Sequence, residues 1–75
     1  MTLDEFVSAF AAEFDDTPEE SFNADTRYKE LDEWSSLVAL SIISMVDDEM
    51  DKRLTGADLR SCSTIEELFN LVESK

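Results

Sequence analysis

The sequence predicts an all-α fold: a small bundle of three main helices plus one short helix, in a single domain over residues 1–75. Apolar residues recur at intervals of three and four in three separate segments, the spacing that places side chains on one face of a helix. No segment shows the strict alternation of a half-buried strand, and no internal repeat is present. A chain of 75 residues with one cysteine has no internal disulfide, so packing must stabilise it.

The first helix is predicted to begin at Thr2. The segment from Thr2 to Glu5 has the form of a capping box, in which a threonine hydroxyl and a glutamate three residues later each accept the other's backbone N–H. Acidic and small polar residues occupy the remaining positions of the wheel, so this helix has one narrow apolar face. That face consists of Leu3, Phe6, Val7, Phe10 and Phe14.

A long acidic loop is predicted from Asp15 to Trp34, because helical periodicity fails there and Pro18 interrupts the chain. A loop of this length in a compact domain is usually functional. We expect Phe22, Tyr28 and Leu31 to pin it to the bundle, with part of it forming a short helical turn.

The second helix is predicted to run from Ser36 to Met50 or Asp51, with Ser35 as its N-cap. Ser36 then occupies the first helical position, where backbone N–H groups lack partners within the helix and the helix dipole is positive. An anionic group on Ser36 is therefore favoured. The pattern is not specific, because a serine at a helix start more often serves only as a cap.

Two faces of the second helix differ in composition. One is a broad apolar face, predicted to be core: Val38, Ile42, Ile43, Met45, Val46 and Met50. Leu37 and Leu40 project from the opposite side, beside Asp47 and Asp48. Two exposed leucines among acids suggest a docking surface, whereas the alternative is that the long loop or a neighbouring helix covers them.

The third and fourth helices are predicted from two further caps. Thr55 can cap a single short turn beginning at Gly56. The segment from Ser63 to Glu66 has capping-box form and opens a last helix whose apolar positions are Ile65, Leu68, Phe69 and Val72. Cys62 is expected to be a small buried hydrophobe with no chemistry of its own.

Composition excludes several functions. Nineteen acidic and six basic residues give a formal charge of -13, which disfavours nucleic acid and anionic membranes and favours basic protein surfaces. With no histidine and one cysteine, the usual zinc spacings and nucleophile-imidazole pairs are absent. A calcium loop is rejected because Lys52 stands where an EF-hand needs glycine. No targeting or membrane-length segment is evident, so we expect a cytoplasmic protein. We also expect it to be a monomer.

The stretch from Leu31 to Asp51, LDEWSSLVALSIISMVDDEMD, resembles the attachment region of acyl carrier proteins. In that family an Asp-Ser-Leu triplet opens the second helix and its serine carries 4'-phosphopantetheine. By this resemblance Ser36 is the modified serine, Ser35 stands where relatives have aspartate, and a tryptophan such as Trp34 is common before the triplet. The resemblance extends in helix pattern over nearly the whole chain and is weakest in the first loop.

The resemblance implies a carrier that catalyses nothing itself. A phosphopantetheinyl transferase would move the arm from coenzyme A to Ser36, and the arm would hold acyl groups as thioesters in fatty acid or specialised acyl biosynthesis. Acyl-transferring and condensing enzymes would use basic patches on their own surfaces to dock on this chain. The docking residues of this chain would be Leu37, Leu40, Asp47 and Asp48. Ser41 and Ser44 depart from the family pattern on this face, which suggests a specialised carrier.

A bundle that parts slightly around an acyl chain would protect it from water, since each exposed CH₂ costs about 0.8 kcal/mol. The predicted pocket lining is Ile42, Ile43, Val46, Leu59 and Cys62, and the alternative is a closed core without ligand. Two other functions stay open: an aminoacyl or peptidyl carrier with the same chemistry, and an unmodified acidic adaptor that binds a basic protein through Leu37 and Leu40.

Overall fold

Four α-helices account for the regular structure, as described by a computed structural model that covers all 75 residues. They are α1 (Leu3–Ala11), α2 (Ser36–Met50), α3 (Gly56–Ser61) and α4 (Ile65–Glu73), with single 3₁₀ turns at Glu19–Ser21 and Tyr28–Glu30 in the long loop. No strand is present. The prediction of three main helices and one short helix is thereby confirmed. None of the helices combines the length and the apolar composition that crossing a bilayer requires.

Each helix begins at a hydroxyl-bearing N-cap residue. In α1, α3 and α4 a capping box forms, in which the cap hydroxyl and a carboxylate three residues later satisfy each other's backbone N–H groups. The caps are Thr2, Thr55 and Thr64, and their partners are Glu5, Asp58 and Glu67. Helix α2 is capped by Ser35 alone.

The start of α4 differs from the prediction by one residue. The predicted box paired Ser63 with Glu66, whereas the structure pairs Thr64 with Glu67. The long loop sets this register: the backbone N–H of Ile65 donates to the carbonyl of Thr26 and that of Glu66 to Ala24. Burial of the Ile65 side chain fixes the same register, and both constraints are tertiary.

One half of the core is an aromatic cluster that contains every aromatic residue of the chain. Phe10 is at its centre, with ring centroids 5.5 Å from Tyr28, 5.7 Å from Phe14 and 6.2 Å from Phe6. Phe14 lies beyond the end of α1 at Ala11, contrary to the predicted helical position, yet it is buried. The other members of the cluster are Phe22, Trp34 and Phe69.

The other half of the core is aliphatic apart from Cys62 and comes from α2, α3, α4 and the short loops between them. The predicted core face of α2 is confirmed, with Ile42, Met45 and Val46 buried and Val38, Ile43 and Met50 half-buried. The remaining buried residues of this half are Leu54, Leu59, Cys62, Ile65, Leu68 and Val72. No polar or charged residue is buried, so burial of apolar surface dominates the stability of the bundle.

The long loop is fixed to the junction between α3 and α4. The Tyr28 hydroxyl is buried and lies 2.6 Å from the carbonyl oxygen of Leu59 and 3.1 Å from that of Cys62. Lys29 Nζ donates to the Arg60 carbonyl at 2.8 Å. These bonds satisfy carbonyls at the end of α3 that have no partner within the helix. Burial raises the pKa of the Tyr28 hydroxyl. The predicted pins are confirmed: Phe22 and Tyr28 are buried and Leu31 is half-buried.

Candidate functional site

The site begins at the cap of α2. Ser35 has extended backbone angles (φ -156, ψ 173) and its Oγ accepts the N–H of Val38 at 3.3 Å, while its carbonyl accepts the N–H of Ala39 at 2.9 Å. Ser35 is therefore the N-cap, as the sequence predicts, and Ser36 is the first helical residue. The Ser36 side chain is exposed to solvent. Its hydroxyl makes no hydrogen bond within the protein, so its oxygen is accessible to another molecule.

The electrostatics of this helix start are unlike those of the other three. The first turn of α2 contains no acidic residue, whereas each of the others has a capping carboxylate. Hydrogen bonds from backbone N–H groups lower the pKa of Glu5 and of Glu67, which shows how these helix starts stabilise an anion. The paired N–H in each of those helices is that of the N-cap residue, and its counterpart in α2, the N–H of Ser35, has no such partner. The N–H groups of Ser36 and Leu37 also lack a hydrogen-bond partner. An anion joined to Ser36 would provide one.

The two residues before the cap hold it in place. Glu33 accepts hydrogen bonds from the N–H of Asp15 at 2.8 Å, the N–H of Asp16 at 3.1 Å and the hydroxyl of Thr17 at 2.7 Å. The Thr17 bond is the main cause that lowers the Glu33 pKa. Trp34 is half-buried, with its ring centroid 5.0 Å from that of Tyr28. The sequence predicted no role for Glu33, because its partners lie 16 to 18 residues away.

A depression of about 380 Å³ lies directly beside Ser36. It is bounded by the start of α2, the second 3₁₀ turn and α3, and its lining residues are Lys29, Trp34, Ser35, Ser36, Ala39, Gly56, Leu59 and Arg60. Two of these side chains are cations, which sequence reasoning missed. The sequence contained one clue to such a site, because basic residues are scarce, six in the whole chain. Only the fold, however, brings positions 29 and 60 together.

The opposite side of α2 presents the two leucines to solvent. Leu37 is 77% exposed and Leu40 is 61% exposed, so the alternative that the loop or a neighbouring helix covers them is wrong. Asp47 and Asp48 are exposed on the same helix. Leu40 and Asp47 also border a second depression, of about 460 Å³, which extends to Arg53. The four predicted docking residues therefore share one accessible surface, which we call the free face of α2.

The five residues of the predicted acyl pocket do not line one cavity. Ile42 and Val46 are completely buried, and Leu59 and Cys62 nearly so, by packing against the rest of the core. Leu59 borders the depression at Ser36, whereas Ile43 borders the one at Leu40. An acyl chain could enter among them only if α2 and α3 moved apart, so the pocket stays a prediction.

Comparison of the chain with models of known protein families, with curated proteins and with solved structures found no match. Its function must therefore be inferred from the geometry around Ser36 and from the resemblance of residues 31–51 to a carrier attachment region.

Proposed function

We propose that the chain is an acyl carrier protein, which holds acyl intermediates on a 4'-phosphopantetheine arm attached to Ser36 in the cytoplasm. One observation carries the proposal. Ser36 presents an exposed hydroxyl, free of hydrogen bonds, at the only helix start without an acidic residue in its first turn. The residues that flank it, WSSL, are those in which the resemblance to carrier proteins is strongest.

The residues present fit such an arm. A phosphodiester on Ser36 Oγ would lie at the free N–H groups of α2, and Ser35 would keep the helix start fixed by capping it. When bound, the arm supplies a terminal thiol to which an acyl group can be joined as a thioester. The chain needs such a thiol from outside, because its one cysteine, Cys62, is buried.

Attachment would be a phosphoryl-group transfer catalysed by a separate transferase. Ser36 Oγ loses its proton to a base of that enzyme and forms a bond to the phosphorus that carries the pantetheine. The bond from that phosphorus to the bridging oxygen of the coenzyme A pyrophosphate breaks, and adenosine 3',5'-bisphosphate leaves with the bonding electrons. This chain contributes the positioned hydroxyl and a surface that the transferase can recognise.

The free face of α2 is suited to transient docking. Leu37 and Leu40 supply apolar area, and Asp47 and Asp48 supply charge to a protein whose formal charge is already -13. Complementary charge accelerates association with a basic partner more than it slows dissociation. A carrier that visits several acyl-transferring and condensing enzymes requires association of this kind.

The proposal is tested by intact-protein mass spectrometry after incubation with coenzyme A and a broad-specificity phosphopantetheinyl transferase. We expect one added phosphopantetheinyl group on the wild type. Ser36→Ala should abolish the addition, whereas Ser35→Ala and the control Ser44→Ala, which alters another exposed serine of α2, should keep it. The Ser35 variant should also lose about 1 kcal/mol of stability, as removal of an N-cap hydroxyl usually does.

Two other results would redirect the assignment. If the wild type remains unmodified while a control carrier protein is fully converted, the exposed leucines favour the unmodified adaptor, and the carrier proposal fails. If the modified protein is loaded by an amino-acid-adenylating enzyme but accepts no acyl group, the chain is an aminoacyl or peptidyl carrier.

A further inference from the structure

The depression beside Ser36 has a charge opposite to that of the protein. It is lined by two of the six basic residues and by none of the nineteen acidic ones. Each of the other three depressions on the surface contains at least one carboxylate among its lining residues. In a chain with this excess of acid, the depression at Ser36 is the one whose charged lining residues are all basic.

Neither of the two cations has an acidic partner. Lys29 Nζ donates one of its three protons to the Arg60 carbonyl at 2.8 Å, which leaves two donors free. The Arg60 guanidinium lies over the start of α3, where its Nη1 is 3.4 Å from the point at which a Gly56 Cβ would stand. The two ion pairs of the protein are Arg27–Glu30 and Lys75–Asp58, so neither Lys29 nor Arg60 belongs to one.

Apart from the two cations, two serines and Gly56, the residues that line the depression are apolar. Trp34, Ala39 and Leu59 provide ring and aliphatic surface beside the cations. Leu37 and Leu40 are not part of this lining. A ligand with a phosphate followed by an uncharged, partly apolar chain therefore matches the depression, and it would leave the free face of α2 accessible.

We propose that Lys29 and Arg60 bind the phosphate of a phosphopantetheine arm carried by Ser36, and that the depression holds the first part of that arm. This inference rests on the proposed function, because it requires modification of Ser36. A guanidinium and an ammonium are the side chains best suited to phosphate oxygens. Their effect is to hold the loaded arm against the α3 side of the bundle between visits to partner enzymes.

The test compares three proteins, each in unmodified and fully modified form as verified by mass. They are the wild type, the double variant K29Q/R60Q, and the control R27Q/R53Q, which makes the same change of charge at two exposed cations outside the depression. The rise in Tm on modification is measured at low ionic strength for each. Since each variant is compared with its own unmodified form, any loss of fold stability cancels from the comparison.

We expect the rise in Tm to be smaller in K29Q/R60Q than in the wild type by about 2–6 °C, the range expected for surface charge pairs in a domain of this size. R27Q/R53Q should behave as the wild type does. The ³¹P chemical shift of the arm should depend on salt in the wild type and in the control, but not in K29Q/R60Q. If Lys29 and Arg60 only stabilised the fold, replacing them would leave the salt dependence of the ³¹P chemical shift unchanged.

Equal rises in Tm and equal ³¹P shifts in all three modified proteins would overturn the inference and leave the carrier assignment intact. A wild type that cannot be modified would overturn both. The two failures are distinguished by the mass measurement that precedes the melting experiment.

Discussion

The segment before Ser36 and the face after it lie in contrasting environments. Residues 22–34, which we call the anchored segment, are held by buried Phe22 and Tyr28, by Trp34 stacked on Phe10 and by hydrogen bonds to α3 and α4. The free face of α2 contacts little of the protein, and Leu37 is 77% exposed. The Ser36 hydroxyl thus stands at a boundary, fixed from one side and accessible from the other.

The contrast suggests a division of roles. In the proposed carrier, a group presented to several enzymes needs a defined position, which the aromatic cluster and the capped helix start supply. The surface proposed for docking must stay free of intramolecular contacts. Variants of the two regions should therefore affect different properties, stability in the first and association in the second.

The largest expected effect is on the aromatic cluster. Phe10→Ala should destabilise the fold by about 3–5 kcal/mol, because Phe10 is completely buried and contacts most of the other rings. Chemical denaturation measures the loss. Leu40→Ala, a deletion of similar kind on the free face, should change stability by less than about 0.5 kcal/mol. Comparable losses in the two variants would contradict the contrast.

Tyr28→Phe tests the anchored segment by removing only the hydroxyl group of the tyrosine. The ring stays, but the buried carbonyls of Leu59 and Cys62 lose their hydroxyl partner. We expect a loss of about 1–3 kcal/mol in the free energy of unfolding, the usual cost of leaving a buried polar group unpaired. Amide hydrogen exchange should show faster opening at the end of α3 than in α1. A variant as stable as the wild type would mean that the loop is not held at this point.

Glu33→Gln tests whether the charge of the anchored segment contributes to stability. The Glu33 pKa is lowered from its ordinary value of 4.5. The stabilisation that the ionised carboxylate provides should therefore be present above pH 4.5, and it should be lost as the pH falls through the lowered pKa of the folded protein. The wild type should melt higher than the variant at pH 7 and converge with it in acid. Glu20→Gln, at an exposed position in the same loop, is the control and should show no such convergence.

Leu37→Ala and Leu40→Ala should leave the fold nearly unchanged but weaken docking. We expect the KM of the phosphopantetheinyl transferase for the protein to rise by about tenfold in the double variant, as loss of two apolar contacts at an interface would produce. Steady-state kinetics with the unmodified protein as substrate gives the value. Ser8→Ala, at an exposed position of α1 rather than of α2, is the control and should leave the KM unchanged. An unchanged KM in the leucine variant would remove the free face from the docking surface.

Local sequence patterns predicted the helices and the cap well, because those depend on neighbours in the chain. The helical periodicity of α2 places Ile42 on the buried face and Leu37 on the exposed one. Ser35 caps the helix because its hydroxyl can accept a backbone N–H of the first turn. Whether the leucines would be covered could not be predicted, since that depends on the path of the long loop. The positions of Lys29 and Arg60 beside Ser36 likewise depend on tertiary packing, through Tyr28 and the end of α3.

The central claim is that Ser36, at the boundary between the two regions, carries the arm. Fragmentation mass spectrometry of the modified peptide that contains Trp34 to Leu40 tests it most directly, because it separates the adjacent serines. The phosphopantetheinyl group should be found on Ser36 alone, with none on Ser35 or on any other residue. A group located on Ser35, or a peptide that stays unmodified while a control carrier is converted, would contradict this account.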